Sequence, residues 1–169
     1  MEHIAELGGI VTGFNVTEHC IDCMCGKHLV KIDKYSRKTI FQKSVFEKEG
    51  LSRKLIADAE QIFVYDFCTL YVLNQKNYEL IGKWQLGNDL SSDICGMTVD
   101  SGTIYCSIRN GKIITLDRQS YLIKEFVISG SSMLSIKTYD SYLVCGTVDG
   151  KVLLLDKATL SIAKTNFFE

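Results

Sequence analysis

The stretch Asp149-Gly150-Lys151-Val152-Leu153-Leu154-Leu155-Asp156 decides how the chain reads, because it is written a second time as Asn110-Gly111-Lys112-Ile113-Ile114-Thr115-Leu116-Asp117. Each copy is a turn, then a hydrophobic run, then a closing Asp. Two looser copies precede them, Gly26-Lys27-His28-Leu29-Val30-Lys31-Ile32-Asp33 and Cys68-Thr69-Leu70-Tyr71-Val72-Leu73-Asn74. The closing residues Asp33, Asn74, Asp117 and Asp156 follow one another at intervals of 41, 43 and 39 residues.

A period of about 40 suits the blades of a β-propeller, with HEAT or armadillo helical repeats the competitor on length alone. The text between the copies favours blades. Apolar residues alternate at period two or run in short β-branched and aromatic blocks bounded by Gly, Asn, Asp and Ser, and helical spacing never persists. Four strands, A to D, fill each period: 9–15, 20–24, 28–32 and 39–43; then 54–57, 61–65, 69–73 and 79–84; then 94–99, 103–108, 112–116 and 122–127; then 133–137, 142–147, 151–155 and 161–165. The fold class is therefore all-β, one domain over 1–169 with blades at 9–46, 53–86, 93–129 and 132–168. Ile4-Ala5-Glu6 resembles Ile162-Ala163-Lys164, so 1–8 is expected to form an extra outer strand. The B–C turns Arg109-Asn110-Gly111 and Val148-Asp149-Gly150 carry Asn-Gly and Asp-Gly, which predict type I′ hairpins with positive φ at both central residues. Each closing Asp or Asn is expected to accept a hydrogen bond from a backbone N–H two residues on, fixing the turn into strand D.

With 169 residues and 46 % hydrophobic content the chain has room for one domain and a real core. Nineteen Lys and Arg against twenty Asp and Glu leave a net charge of −1, so no global field points at nucleic acid or an anionic membrane. The seven cysteines are odd in number and sit mostly in apolar strands, which reads as reduced, buried thiols. The start lacks the cationic and apolar segments of a secretion signal, and no run is long enough to span a bilayer. These features lead to the expectation of a soluble, cytoplasmic chain.

Cys145-Gly146-Thr147-Val148-Asp149-Gly150-Lys151 through Asp156, followed by Lys157-Ala158-Thr159, resembles WD40-like and quinoprotein-like propeller repeats, and the likeness runs over nearly the whole chain. Thr147 and Asp149 fall near the strand-B hydroxyl and the turn Asp of WD40 repeats. No Gly-His pair precedes the blades, however, and the Trp before the final Asp is replaced by Ile32, Leu73, Leu116 or Leu155. Trp84, ending a strand D, is closer to the quinoprotein pattern. The resemblance implies a radial array of four-stranded sheets with loops on two faces. Four blades are few for such a ring, and a terminal blade exposes an apolar sheet face until something covers it. A homodimer completing an eight-bladed ring with twofold symmetry is the expectation, and a closed four-bladed monomer the alternative.

One cluster raises a metal hypothesis. Cys20 and Cys23 have C-x-x-C spacing, and Cys25 with His28 would complete four ligands for zinc. Strand alternation argues against it, since Cys20 would project away from Cys23 and Cys25. No metal and no cofactor are expected. Phosphate loops, nucleophile elbows and His-Glu-x-x-His helices are missing from the sequence. Tyr65, Phe67, Tyr71, Tyr78, Trp84 and Tyr105 could stack on a ligand, but packing between sheets is the expected use of such residues in strands. The function expected is a non-enzymatic scaffold that binds a protein or peptide through loops on a rigid frame. Its contacts would be Arg109, Asn110 and Asp149 on one edge, with Lys34, Arg118 and Lys157 after the closing Asp positions on the other. The alternative is a small-ligand or catalytic propeller with a pocket at the channel mouth or dimer seam.

Overall fold

Every alternating run becomes a strand. In a computed structural model that describes residues 7–47 and 54–167, these strands form four sheets. The first holds β1 (Val11–Val16), β2 (Cys20–Cys25), β3 (His28–Asp33) and β4 (Thr39–Ser44); the second β5 (Lys54–Ala57), β6 (Gln61–Asp66), β7 (Thr69–Asn74) and β8 (Leu80–Gln85). The third holds β9 (Ile94–Val99), β10 (Thr103–Ile108), β11 (Lys112–Asp117) and β12 (Ile123–Val127); the fourth β13 (Met133–Tyr139), β14 (Tyr142–Thr147), β15 (Lys151–Asp156) and β16 (Ile162–Phe167). Strands lie in each sheet in chain order, each hydrogen-bonded to its neighbours in sequence. The chain divides into two compact units, Met1–Trp84 with the first two sheets and Gln85–Glu169 with the last two. The outer strand expected over 1–8 falls almost wholly outside the described residues. A 3-10 turn at Leu90–Ser92, not anticipated, is capped by Asp89, whose carboxylate accepts from Ser92 N at 2.9 Å.

The closing residues fix their turns through their side chains, four times. Donors two residues on, as expected, are Lys76 N to Asn74 at 2.8 Å, Gln119 N to Asp117 at 3.1 Å and Ala158 N to Asp156 at 3.1 Å, while Asp33 accepts instead from Ser36 N, three residues on, at 2.6 Å; Ser120 N and Thr159 N add the same three-residue bond to Asp117 and Asp156, at 2.7 and 2.9 Å. The chain then turns through a left-handed residue that is never glycine: Arg37, Tyr78, Tyr121 and Leu160 have φ between 55° and 59°. Each of these donates its N–H to the carbonyl of the closing residue, at 2.7–2.9 Å. A second latch follows from the same geometry. The residue after each closing position donates its N–H to strand B's entry turn in the same sheet, Lys34 to His19 O, Gln75 to Glu60 O, Arg118 to Gly102 O and Lys157 to Ser141 O.

Backbone and hydroxyl donors from Ser36, Ser120 and Thr159 hold the Asp33, Asp117 and Asp156 carboxyls below their ordinary value of 3.8. A carboxyl depressed in the folded state stabilises it fully above its unfolded pKa, and the contribution fades as pH falls through the folded value. We therefore expect thermal stability to fall on acidification below the ordinary carboxylate range. Asp117→Asn, which copies the amide already present at Asn74, should lose less melting temperature than wild type between pH 6 and pH 3, an interval spanning the ordinary carboxylate pKa. Parallel melting curves for the two proteins over that interval would refute the assignment.

In the first unit, Met24 and Leu29 pack with Leu55, Ile62, Val64, Leu73 and Tyr78. In the second, Tyr105 and Ile113 pack with Met133, Ile136, Leu143, Cys145 and Leu155. Inner strands approach closely at two glycines. A Cβ on Gly13 would lie 2.6 Å from Leu55 N, and one on Gly96 would lie 3.1 Å from Ile136 N. Of the aromatic residues, Tyr65, Tyr78 and Tyr105 are buried, Tyr71 edges onto Phe46 with ring centroids 4.8 Å apart, and the Trp84 ring covers the Gly82 backbone, whereas Phe67 is 42 % exposed.

Antiparallel B–C pairing occurs as expected, but the turn type differs. Gly111 and Gly150 have positive φ, while Asn110 and Asp149 do not. Three residues separate Ile108 from Lys112 and Thr147 from Lys151, so each loop is a turn closed by an i→i+3 bond, Gly111 N to Ile108 O and Gly150 N to Thr147 O, ending in a left-handed glycine. That is the three-residue hairpin with a bulge, not the two-residue type I′ loop.

Candidate functional site

The site is built where the B–C turns of the third and fourth sheets meet the connector between those sheets. Gly111 lies beneath Ser129-Gly130-Ser131, and its carbonyl accepts from Ile128 N and Ser129 N, each at 3.2 Å. Ser131 N donates to Ser129 Oγ at 2.8 Å, and Ser131 Oγ donates to Asp149 Oδ1 at 2.8 Å. Asp149 also accepts from Thr147 Oγ1 at 2.6 Å and pairs with Lys151 Nζ at 2.6 Å. Lys151, Thr147 and Ser131 together hold the Asp149 carboxyl well below the usual carboxylate range. At the other end of the edge, Asp93 is buried and holds the Arg109 guanidinium at 3.1 Å, while Arg109 N donates to Asp93 O at 2.9 Å.

The structure thus brings Arg109, Asn110 and Asp149 onto one edge of the second unit, linked through the serine connector. Arg109 stays half exposed while its guanidinium is fixed. Asn110 Oδ1 is enclosed with no hydrogen-bond partner. Val148, next to Asp149 in the fourth sheet's turn, is 62 % exposed. An open cleft of ≈ 620 Å³ lies beside this edge, its lining including the apolar Ile128, Leu153 and Ile162 and the polar Ser131, Asp149 and Lys151. Neither the serine connector nor the cleft was anticipated; Ser129, Ser131 and Ser132 in sequence were the available hint, and they lie between strands β12 and β13.

On the opposite edge, Lys34 Nζ donates to Thr17 O and Glu18 O at 3.2 and 3.1 Å, Arg118 Nη1 donates to Asp100 O at 3.0 Å, and Lys157 Nζ pairs with Asp100 Oδ2 at 3.4 Å. All three cations brace turns of their own units.

The cysteine cluster is not gathered. Cys23 and Cys25 share a face with Val30 and Ile32, against which Leu7 packs. The strand register places Cys20 and Asp22 on the other face. Among the described residues no group of three or more His, Cys, Asp or Glu could hold a metal ion. Burial pushes the Cys23 thiol up to about 11, with Cys25 and Asp22 adding to the effect, and burial alone pushes Cys106 and Cys145 up to about 12. These three are thiols, not nucleophilic thiolates, at neutral pH.

No family model matches the sequence, and no curated protein matches it. Solved structures do. The chain is similar to Sqt1 of Saccharomyces cerevisiae, with TM-score 0.76 and 13 % identity over 91 % of this chain and 48 % of that one. It is similar to the Pan2 WD40 domain of Neurospora crassa, with TM-score 0.77 and 15 % identity over 94 % of this chain and 50 % of that one. It is also similar to the computationally designed Ika4 protein, with TM-score 0.77 and 11 % identity over 92 % and 98 % of the two chains. Together with four four-stranded antiparallel sheets, these likenesses show a WD40-like β-propeller fold. The chain spans about half the length of the Sqt1 and Pan2 chains it matches.

Proposed function

We propose that this chain is a non-enzymatic WD40-like interaction scaffold that binds a protein or peptide on the edge formed by Arg109, Asn110, Val148 and Asp149. The observation that carries this reading is the fixed, half-exposed Arg109 guanidinium, held by the buried Asp93 carboxylate at 3.1 Å. A cation whose rotamer is set before contact loses little freedom on binding, and arginine is among the residues that dominate interface energies. Asp149 supports a binding role over a catalytic one, because its acceptor sites are taken by Ser131, Thr147 and Lys151. Lys34, Arg118 and Lys157 we place second as contacts, since their charged heads hold turns. Seven free cysteines and balanced charge support a cytoplasmic setting. No helix among the described residues is long and apolar enough to cross a membrane.

A photo-cross-linker at Val148 should capture the same protein that the wild-type chain retains on a column. Arg109→Glu should weaken that retention about tenfold or more, as expected for an interface arginine. Lys76→Glu, exposed on the first unit, should leave it unchanged. Equal retention by Arg109→Glu and wild type would move the site elsewhere, and turnover of a small substrate would overturn the non-enzymatic reading. We propose further that two copies pair to complete an eight-bladed ring.

A further inference from the structure

Resting on the binding edge proposed above, we infer the chemistry of what it holds: the cleft beside Asp149 takes an aromatic side chain of the phenylalanine type, carried by the partner protein or peptide. The first unit fills the corresponding place with its own side chains. Val45 N and Phe46 N donate to Lys27 O just as Ile128 N and Ser129 N donate to Gly111 O, so Ser129 stands where Phe46 does. Tyr71 lies opposite Val64 and Leu153 opposite Cys145, each three residues before its closing position, so Leu153 stands where Tyr71 does. Lys83 and Thr165 match in turn: each lies four residues past the carbonyl, of Glu79 or Ser161, that accepts from the closing residue's N–H.

In the first unit these three positions hold bulk. Phe46 is 3 % exposed, its ring meets the Tyr71 ring edge-on, and Lys83 Nζ lies 5.7 Å from the Tyr71 ring centroid. In the second unit the same positions are Ser129, Leu153 and Thr165, and all three line the open cleft. Phe126, at the place of Lys43, packs on the unit's buried cluster and leaves the cleft open. Two rings and a lysine are here a serine, a leucine and a threonine, and the ≈ 620 Å³ falls within the range of small-ligand pockets, about 300–1,000 Å³. The lining selects an uncharged occupant. Asp149 and Lys151 neutralise each other at 2.6 Å, Ser131 N donates to Ser129 Oγ at 2.8 Å, and Ser129 Oγ donates to Ser131 O at 3.1 Å. With these groups paired, the cleft offers an incoming side chain the apolar surface of Ile128, Leu153 and Ile162. An aromatic ring buries much such surface while freezing few rotors.

Methyl NMR on the full chain, titrated with N-acetylphenylalaninamide to millimolar concentration, should show saturable ring-current shifts at Ile128, Leu153 and Ile162, and N-acetylglutamate should give none. Ser129→Phe, which places Phe46's residue in the connector, should abolish those shifts and cut retention of the partner about tenfold or more, with unchanged far-ultraviolet circular dichroism. Ser129→Ala gives up the same hydroxyl bonds while leaving the cleft open, so it should bind the probe as wild type does. No saturable shift in wild type overturns the inference, as does an equal response to N-acetylglutamate or loss of probe binding in Ser129→Ala. Probe binding that appears only after removal of residues 168–169 makes the chain's own end the occupant and overturns it too. Retention kept by Ser129→Phe but lost in Arg109→Glu overturns the aromatic anchor and leaves the edge standing. Retention kept by both variants overturns the edge itself.

Discussion

Gly111→Val should destabilise the chain by about 3 kcal/mol or more, combining left-handed strain with overpacking. Gly111 has φ +83°, where a β-branched residue is strained, and its Cβ would fall on the Ser129 and Ser131 carbonyl oxygens. Those carbonyls belong to the connector that bonds back to Gly111 O, so the connector cannot retreat without giving up the bonds from Ile128 N and Ser129 N. Gly102→Ala is the matched control, since nothing lies within 4 Å of a Cβ there. Urea denaturation followed by circular dichroism should show a large drop in midpoint for the first variant and a change within about 0.5 kcal/mol for the second. Equal midpoints would mean that the connector is not anchored on this turn. Because the same connector positions Asp149, partner binding should weaken along with stability.

Asp22→Ala should cost about 2–4 kcal/mol, the range for leaving buried polar partners unpaired. Asp22 is 0 % exposed and accepts from the Tyr78 hydroxyl at 3.0 Å and from Gln75 Nε2 at 3.3 Å. Alanine removes the acceptor and strands both donors between the first two sheets. Tyr78→Phe on that background should recover roughly 1 kcal/mol by deleting one stranded hydroxyl. Its ring would keep the stack on Phe41, whose centroid lies 4.4 Å away. Strict additivity of the two substitutions in a thermodynamic cycle would show that the hydroxyl and the carboxylate do not depend on each other.

The sheets were legible because their signals are local. A closing Asp that caps its own turn needs only its next three residues, so Asp33, Asp117 and Asp156 announced strand ends to within a residue or two, and Asn74 did the same with an amide. The hairpin type was misread for a countable reason: Asn-Gly suits a two-residue loop, but Arg109 and Val148 lengthen these to three, which moves the left-handed position onto the glycine alone. Arg37, Tyr78, Tyr121 and Leu160 gave no warning of positive φ, since nothing in their side chains favours it; the closing carbonyl bond imposes it. Asp22 and Tyr78 are 56 positions apart, and their bond exists only once two sheets stack. Of the candidate contacts, Arg109, Asn110 and Asp149 were placed on one edge by the repeat, but the serines that join them lie in the loop between β12 and β13, which carries no repeated pattern.

Because every described strand pairs within its sheet with its neighbours along the chain, these sheets need not wait for a distant segment before they can assemble. As the polypeptide leaves the ribosome, each stretch of about 40 residues can form its own hairpins before the next is synthesised, in keeping with units folding from the amino end. The same order makes a blade a transferable cassette: one contiguous insertion or deletion adds or removes a whole leaf without rethreading the others.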